Sequence, residues 1–245
     1  MADEPAELVE TEPVSTSETE PVSPSTGWGV LHLFFKASPS ASAEAILAAV
    51  KSLQADNHQV VSFAVLGHKA DIGFLALGPD LWRLQQFQTD LAGAGLALVD
   101  SYVSLTEVSE YAEGMPPERL EPRLHPRLPP AGMTVLCFYP MSKRRDTAGN
   151  WYMVPFEERR SMMEHHGRVG RTFAGEVVQL VTGSTGLDDW EWSVTLFARD
   201  PASIKRCVYE MRFDEASAIY AEFGPFVTGL VATTETVLSR IAVVG

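Results

Sequence analysis

The chain has 245 residues, 45% of them hydrophobic, enough for one large domain or two small ones with a core of their own. Its formal net charge of -13 speaks against nucleic acid as a partner, and no run of roughly 18 apolar residues offers a membrane span. The N-terminus lacks the basic and apolar stretches of a signal peptide, so a cytoplasmic protein without membrane insertion is expected.

Seven of the net charges lie early: Asp3, Glu4, Glu7, Glu10, Glu12, Glu18 and Glu20, with no Lys or Arg among the first 25 residues. With its Pro, Ser and Thr content, segment 1–26 cannot bury enough surface to order itself and is read as a disordered acidic tail. From Trp28 the pattern changes. VLHLFFKA is a strand, and SASAEAILAAVKSLQ is a helix that Ser40 or Ser42 can cap. QVVSFAVLG and DIGFLALG are two strands about a short turn, DLWRLQQFQTDLAGAG is a helix ending in glycines, and LALVDSYVSLTEV is a closing strand. Residues 27–113 therefore run β-α-β-β-α-β, the ferredoxin-like order.

GMPPERLEPRLHPRLPPAG, Gly114 to Gly132, holds six prolines and is read as a linker across the surface, too broken for a long helix. Residues 133–245 then repeat the order. MTVLCFYPMSK is a strand, PFEERRSMMEHH a helix opened by a proline, and EVVQLVTG and WEWSVTLFA are strands. DPASIKRCVYEMRFDEASAIYAEFG reads as one long helical region and PFVTGLVA as the last strand. The likeness of GFLALGPDLWRLQQF to VTLFARDPASIKRCV, each a strand passing through a proline turn into a helix, points to duplication. Two such halves packed by their apolar sheet faces make an α+β barrel with helices outside. Cys137 and Cys207 lie far apart in apolar settings without metal spacing, and are expected to be reduced and buried.

Lys143, Arg144, Arg145, Arg168, Arg171 and Arg212 gather in the second half of an acidic protein. They are either a cationic pocket for an anionic ligand or a set of solvated faces. In EHHGRVGRTFAG, His165 and His166 close the helical pattern, with Gly167 at the position of an ordinary cap. A metal ligand and a charge-tolerant helix end both fit that stretch.

YPMSKRR, NWY, HHGRVGR, GLDDWEW and YEMRFDEASAIYAEFGPF together resemble the coproheme decarboxylases of the chlorite dismutase-like superfamily, actinobacterial members most closely. The likeness runs from about Trp28 to Ala232 and is densest from Tyr139 to Phe226. It implies tandem ferredoxin-like halves forming a dimeric α+β barrel, a homopentamer, and iron coproporphyrin III (coproheme) bound in the C-terminal half. By the same resemblance His166 is the iron ligand and His165 a bystander about 100° round the helix. Tyr139 matches the catalytic tyrosine, which takes a hydrogen atom from a propionate after hydrogen peroxide has oxidised the iron. Two propionates become vinyls in turn, giving haem b through a three-propionate intermediate. Lys143 matches the lysine near the reactive propionate, on the face of Tyr139 if the strand persists. Arg212 and Ser217 match propionate-holding residues, Met141 one that packs beside them, and Trp151 a residue near the porphyrin. Arg171 is a candidate for the pocket rim, and His125, in the linker, for the base toward peroxide. Gln179 stands thirteen residues after His166, where chlorite-splitting relatives place an arginine; an amide has no fixed charge to hold an oxyanion. A haem-binding carrier or sensor is the alternative, and the Tyr139, Met141, Lys143 face argues against it. A dye-decolourising peroxidase lacks support, because GLDDW does not provide that group's GxxDG pattern. A ferrochelatase handing over the pigment follows from pathway logic alone.

Overall fold

In the computed structural model, residues 20–243 are described, with 113 and 148 excepted. Residues 1–19, most of the acidic tail, lie outside the described residues. Residues 20–26, also read as tail, lie beside the second helix, where Val22 accepts from the Leu81 amide and donates to Asp80.

The N-terminal half contains β1 (Gly29–Ala37), α1 (Ala43–Gln54), β2 (Gln59–Val65), β3 (Ile72–Gly78), α2 (Leu81–Gly93) and β4 (Leu96–Thr106). A connector follows, with a 3-10 turn at Glu110–Ala112 and the short helix α3 (Pro117–Leu124). The C-terminal half opens with β5 (Val135–Lys143), a small hairpin of β6 (Arg145–Asp146) and β7 (Gly149–Asn150), and a 3-10 turn at Trp151–Met153. It continues through α4 (Phe156–Arg171), β8 (Val177–Gly183), β9 (Trp192–Ala198), α5 (Pro201–Met211) and α6 (Glu215–Ala218). It ends in β10 (Ala221–Phe223), β11 (Val227–Val231) and α7 (Thr234–Arg240).

Eight strands close a barrel in the order β5-β11-β2-β3-β1-β4-β8-β9, with β9 returning to β5, and β10 extends the sheet beside the end of β5. The halves join at two seams, β11 against β2 and β4 against β8, the second holding only Leu105↔Gly183 and Thr106↔Thr182. Because both faces of most strands are covered, their sequences read as apolar runs rather than alternations. Val30, Phe34, Phe63, Leu75, Leu136, Phe138 and Phe197 fill the interior. Leu33, Phe35 and Phe74 point outward under α1, α2 and α7, while Val135, Cys137, Tyr139 and Leu196 point outward on the other half.

Local rules set the helix starts. Ser42 accepts from the Ala45 amide, Asp80 from Trp82 and Asp200 from Ala202, each satisfying a donor the helix leaves free. Pro201 then fits the first turn, where no amide hydrogen is needed.

Two boundaries differ from the sequence pattern. The α4 helix does not end at the histidines but runs through Gly167 and Gly170 to Arg171. Neither glycine has the positive φ of a helix-terminating residue. His166 is therefore inside the helix, not at a terminus where the dipole would favour its charge. The long helical region after Asp200 breaks: α5 stops at Met211, Asp214 is extended (φ -70, ψ 134), and α6 has only four residues. Cys137 and Cys207 are buried and unbridged, and burial pushes the Cys137 thiol up to about 11. Among the described residues no helix is long and apolar enough to cross a membrane.

Candidate active site

The outer face of β5 carries Tyr139, Met141 and Lys143 in alternation, because the strand persists through Lys143. Tyr139 is 8% exposed and packed between rings: Phe226 stacks on it at 4.4 Å and Phe223 meets it edge-on at 5.7 Å. Burial, first of all, pushes its phenol well above the ordinary tyrosine range, and the charge of Arg212 pulls back only in part. Arg212 caps α5 and lays its guanidinium 4.9 Å from the Phe223 ring centroid. Met141 is half-buried and lies beside Phe223 and Trp192 in the sheet.

Lys143 is 7% exposed. Its ammonium donates to the Ala216 carbonyl at 2.7 Å and stands 4.3 Å from the Trp151 ring centroid. Burial lowers its pKa to about 8, against the opposing pull of Asp214 and Glu191. Trp151, 2% exposed, also meets Tyr220 edge-on at 5.1 Å.

Opposite them, His166 projects from α4. Its Nδ1 lies 2.8 Å from Oδ2 of Asp214, whose side chain is wholly buried. Burial lowers the His166 pKa, while Asp214 raises it less. A neutral imidazole donating Nδ1–H to a carboxylate keeps the lone pair of Nε2 for a metal, and the partner fixes the ring's direction. Ser217 Oγ donates to the same Asp214 oxygen at 3.4 Å, and the second oxygen, Oδ1, is buried without a partner. Among the described residues no group of three or more His, Cys, Asp or Glu is placed to hold a metal ion.

The structure thus gathers Tyr139, Met141, Lys143, Trp151, His166, Arg212 and Ser217 on one side of the C-terminal sheet. Gln179, on β8, is exposed on the same sheet face, since its register partner Leu196 packs with Tyr139. His165 is exposed. Arg171 is exposed at the end of α4, where a methyl group on Gly167 would meet its Nη1 at 3.3 Å. The structure does not bring His125 to this group. Its ring lies 4.9 Å from Trp28 and its Nδ1 2.7 Å from Glu121. A cavity of about 640 Å³ opens beyond Trp151, lined by Arg145, Asn150, Met153 and Tyr220, without Tyr139 or His166.

Sequence reasoning missed two carboxylates. Asp214 falls within the stretch read as one long helical region; it stands at the start of α6, where its side chain caps nothing and turns to His166. Glu191, 6% exposed, accepts the Lys143 backbone amide at 2.7 Å. It sits in an acidic surface stretch, GLDDWEW, with no local sign of burial.

A closed α+β barrel of two ferredoxin-like halves, with a carboxylate-oriented imidazole on one of them, defines a class, and the chain belongs to the chlorite dismutase family, whose model matches residues 39–232. Within that family, it is 47% identical over 173 residues to the coproheme decarboxylase of Thermus thermophilus, covering 68% of this chain and 69% of that protein. The coproheme decarboxylase of Staphylococcus saprophyticus is 43% identical over 190 residues, 74% of this chain and 76% of that protein. A solved heme-binding protein from Thermus thermophilus superposes with a TM-score of 0.78 at 39% identity, covering 91% of this chain and 99% of that one.

Proposed function

We propose that this protein is a coproheme decarboxylase, an oxidoreductase of haem synthesis that converts two propionates of iron coproporphyrin III to vinyls at the expense of hydrogen peroxide. The identities of 43–47% to proteins of that name support the activity. The observation that carries the mechanism is a buried phenol and a buried ammonium on one strand face, across from an imidazole whose Nδ1 is held by Asp214.

The residues fit an iron tetrapyrrole. His166 Nε2 would hold the iron, the rings of Phe223 and Phe226 offer apolar cover, and Lys143, Arg212 and Ser217 would take carboxylates. The iron, with peroxide, supplies the oxidising power. What the chain supplies is placement and a hydrogen atom. A phenol held far above neutral keeps its proton, so Tyr139 gives up proton and electron together rather than ionising first. The resulting tyrosyl takes a hydrogen atom from a propionate side chain; loss of one more electron and of carbon dioxide leaves the vinyl. Each propionate releases two electrons and so consumes one peroxide, which leaves as two waters. Lys143 would orient the reacting carboxylate, with Met141 packed beside it and Trp151 under the ammonium. Arg171 would close the rim. Gln179 is neutral on that face, so it supplies no fixed charge to hold chlorite. To act as base toward peroxide, His125 would first have to leave Trp28 and Glu121.

The homopentamer and the cytoplasmic setting belong to the same proposal. The outward Leu98, Val99 and Val103 of β4, each 38–47% exposed, are apolar enough for a subunit contact. The test of the mechanism is Tyr139→Phe. It should bind the pigment with an unchanged Soret band and release no carbon dioxide, read by mass spectrometry of the pigment; retained turnover removes Tyr139 from the reaction. A wild type that binds but yields neither the three- nor the two-propionate product leaves a carrier instead.

A further inference from the structure

Arg159, in the first turn of α4, points inward, with a side chain 16% exposed. Its Nη1 donates to Glu110 Oε1 at 2.8 Å and to the Tyr111 hydroxyl at 3.2 Å, so it is tied to the connector that leaves the N-terminal half. Tyr111 stacks on Phe156, centroids 5.8 Å apart and planes at 15°. The Arg159 guanidinium carbon lies 5.6 Å from the Phe156 centroid and 6.0 Å from that of Trp151. Its Nε is buried with no partner, so hydrogen bonding alone does not explain the seat; the rings complete it. Trp151 thus has two cations about it, Arg159 and, at 4.3 Å, Lys143.

We propose that Arg159 is a positioning residue for the decarboxylation: held by Glu110 and Tyr111, it sets the tilt of Trp151, and that ring aims the Lys143 ammonium. The inference rests on the reading of Lys143 as the cation at the reacting propionate. An ammonium has three N–H groups. Lys143 gives one to the Ala216 carbonyl and presents its charge to the indole, which leaves a remaining N–H direction for a carboxylate. If the indole tilts, that direction swings with it. Small misplacement at a reacting group lowers the rate more than the binding, because the iron and the other carboxylates are held elsewhere. The connector of one half thereby governs the geometry of a lysine on the other.

Arg159→Met keeps the stem and removes the fork, Glu110→Gln weakens the other end, and Tyr111→Phe keeps the ring stack while losing the hydroxyl. Each variant should bind iron coproporphyrin III within about twofold of wild type in a Soret titration, while peroxide-driven conversion of the bound pigment falls on the order of tenfold in Arg159→Met. The double variant Arg159→Met, Glu110→Gln should be no slower than Arg159→Met alone, since both break one clamp. A merely structural role would lower melting temperature, affinity and turnover together. If Arg159→Met does not fold, Tyr111→Phe decides by the same split between binding and rate. Conversion at the wild-type rate, or a rate loss matched by affinity loss, overturns the inference alone. A wild type that releases no carbon dioxide overturns the decarboxylase reading and this inference with it.

Discussion

The two halves of the barrel carry the same order of strands and helices but cover their outer faces with different material. On the N-terminal half, α1 buries Ile46, Ala49, Val50 and Leu53, α2 buries Leu84, Phe87 and Leu91, and α7 adds Val237 and Leu238. On the C-terminal half, α4 runs for sixteen residues without one that is buried, and turns Arg159 and His166 toward the sheet. The sheet face on that half carries Lys143 and Tyr139 beside the aliphatic Val135, Val194 and Leu196. One half finishes its own core. The other leaves a face with buried polar groups, Asp214 Oδ1 and Arg159 Nε among them without a partner, under a helix that buries no residue, and there the proposed flat ligand would complete the packing.

On that division, the halves answer differently to substitution. Phe74, wholly buried against Phe35 and Phe87, should on truncation to Ala lower stability by about 3–5 kcal/mol in urea denaturation without changing the chemistry of the other half. Asp214→Asn should act in the opposite sense: with the imidazole no longer oriented by a carboxylate, affinity for iron coproporphyrin III falls by about 10- to 100-fold, read by Soret titration. A loss of stability as large as that of Phe74→Ala would blur the comparison.

The shared interior is tested by acid. His32, on β1, is wholly buried, bonds through Nε2 to Thr195 of the other half at 2.8 Å, and leaves Nδ1 unpartnered. Burial lowers its pKa to about 3. The unfolded chain therefore binds this proton below about pH 6.5 while the folded one does not. Stability contributed by the neutral ring is full above that pH and falls as pH drops toward 3, by up to about 1.4 kcal/mol per unit. Thermal unfolding of His32→Leu should lack that part of the slope. The smallest effect is local: Ser42→Ala removes the cap of α1 and should lower stability by about 1 kcal/mol, confined to the N-terminal half in hydrogen exchange.

The duplicated order of elements was legible because strands and helices announce themselves by period and by their caps, as at Ser42, Asp80 and Pro201. The strand face of Tyr139, Met141 and Lys143 was legible for the same reason. His166 was singled out by its resemblance motif, while its local pattern suggested a helix end that the structure moves to Arg171. Glycine weakens a helix without ending it unless the backbone turns left-handed, and α4 keeps its turn through both glycines. Asp214 lay inside a stretch read as one long helical region, and serves as the partner of an imidazole 48 residues away.

The chain by itself thus determined the repeated architecture, the barrel's apolar faces and the residue types at the candidate site. Only the folded arrangement decided which carboxylate orients His166, that Lys143 is buried over Trp151, that Arg159 reaches the connector, and that His125 rests on Trp28. Periodicity records which face a side chain takes within its own element. Pairings between elements depend on how helices and sheet are stacked, and no local spacing encodes that.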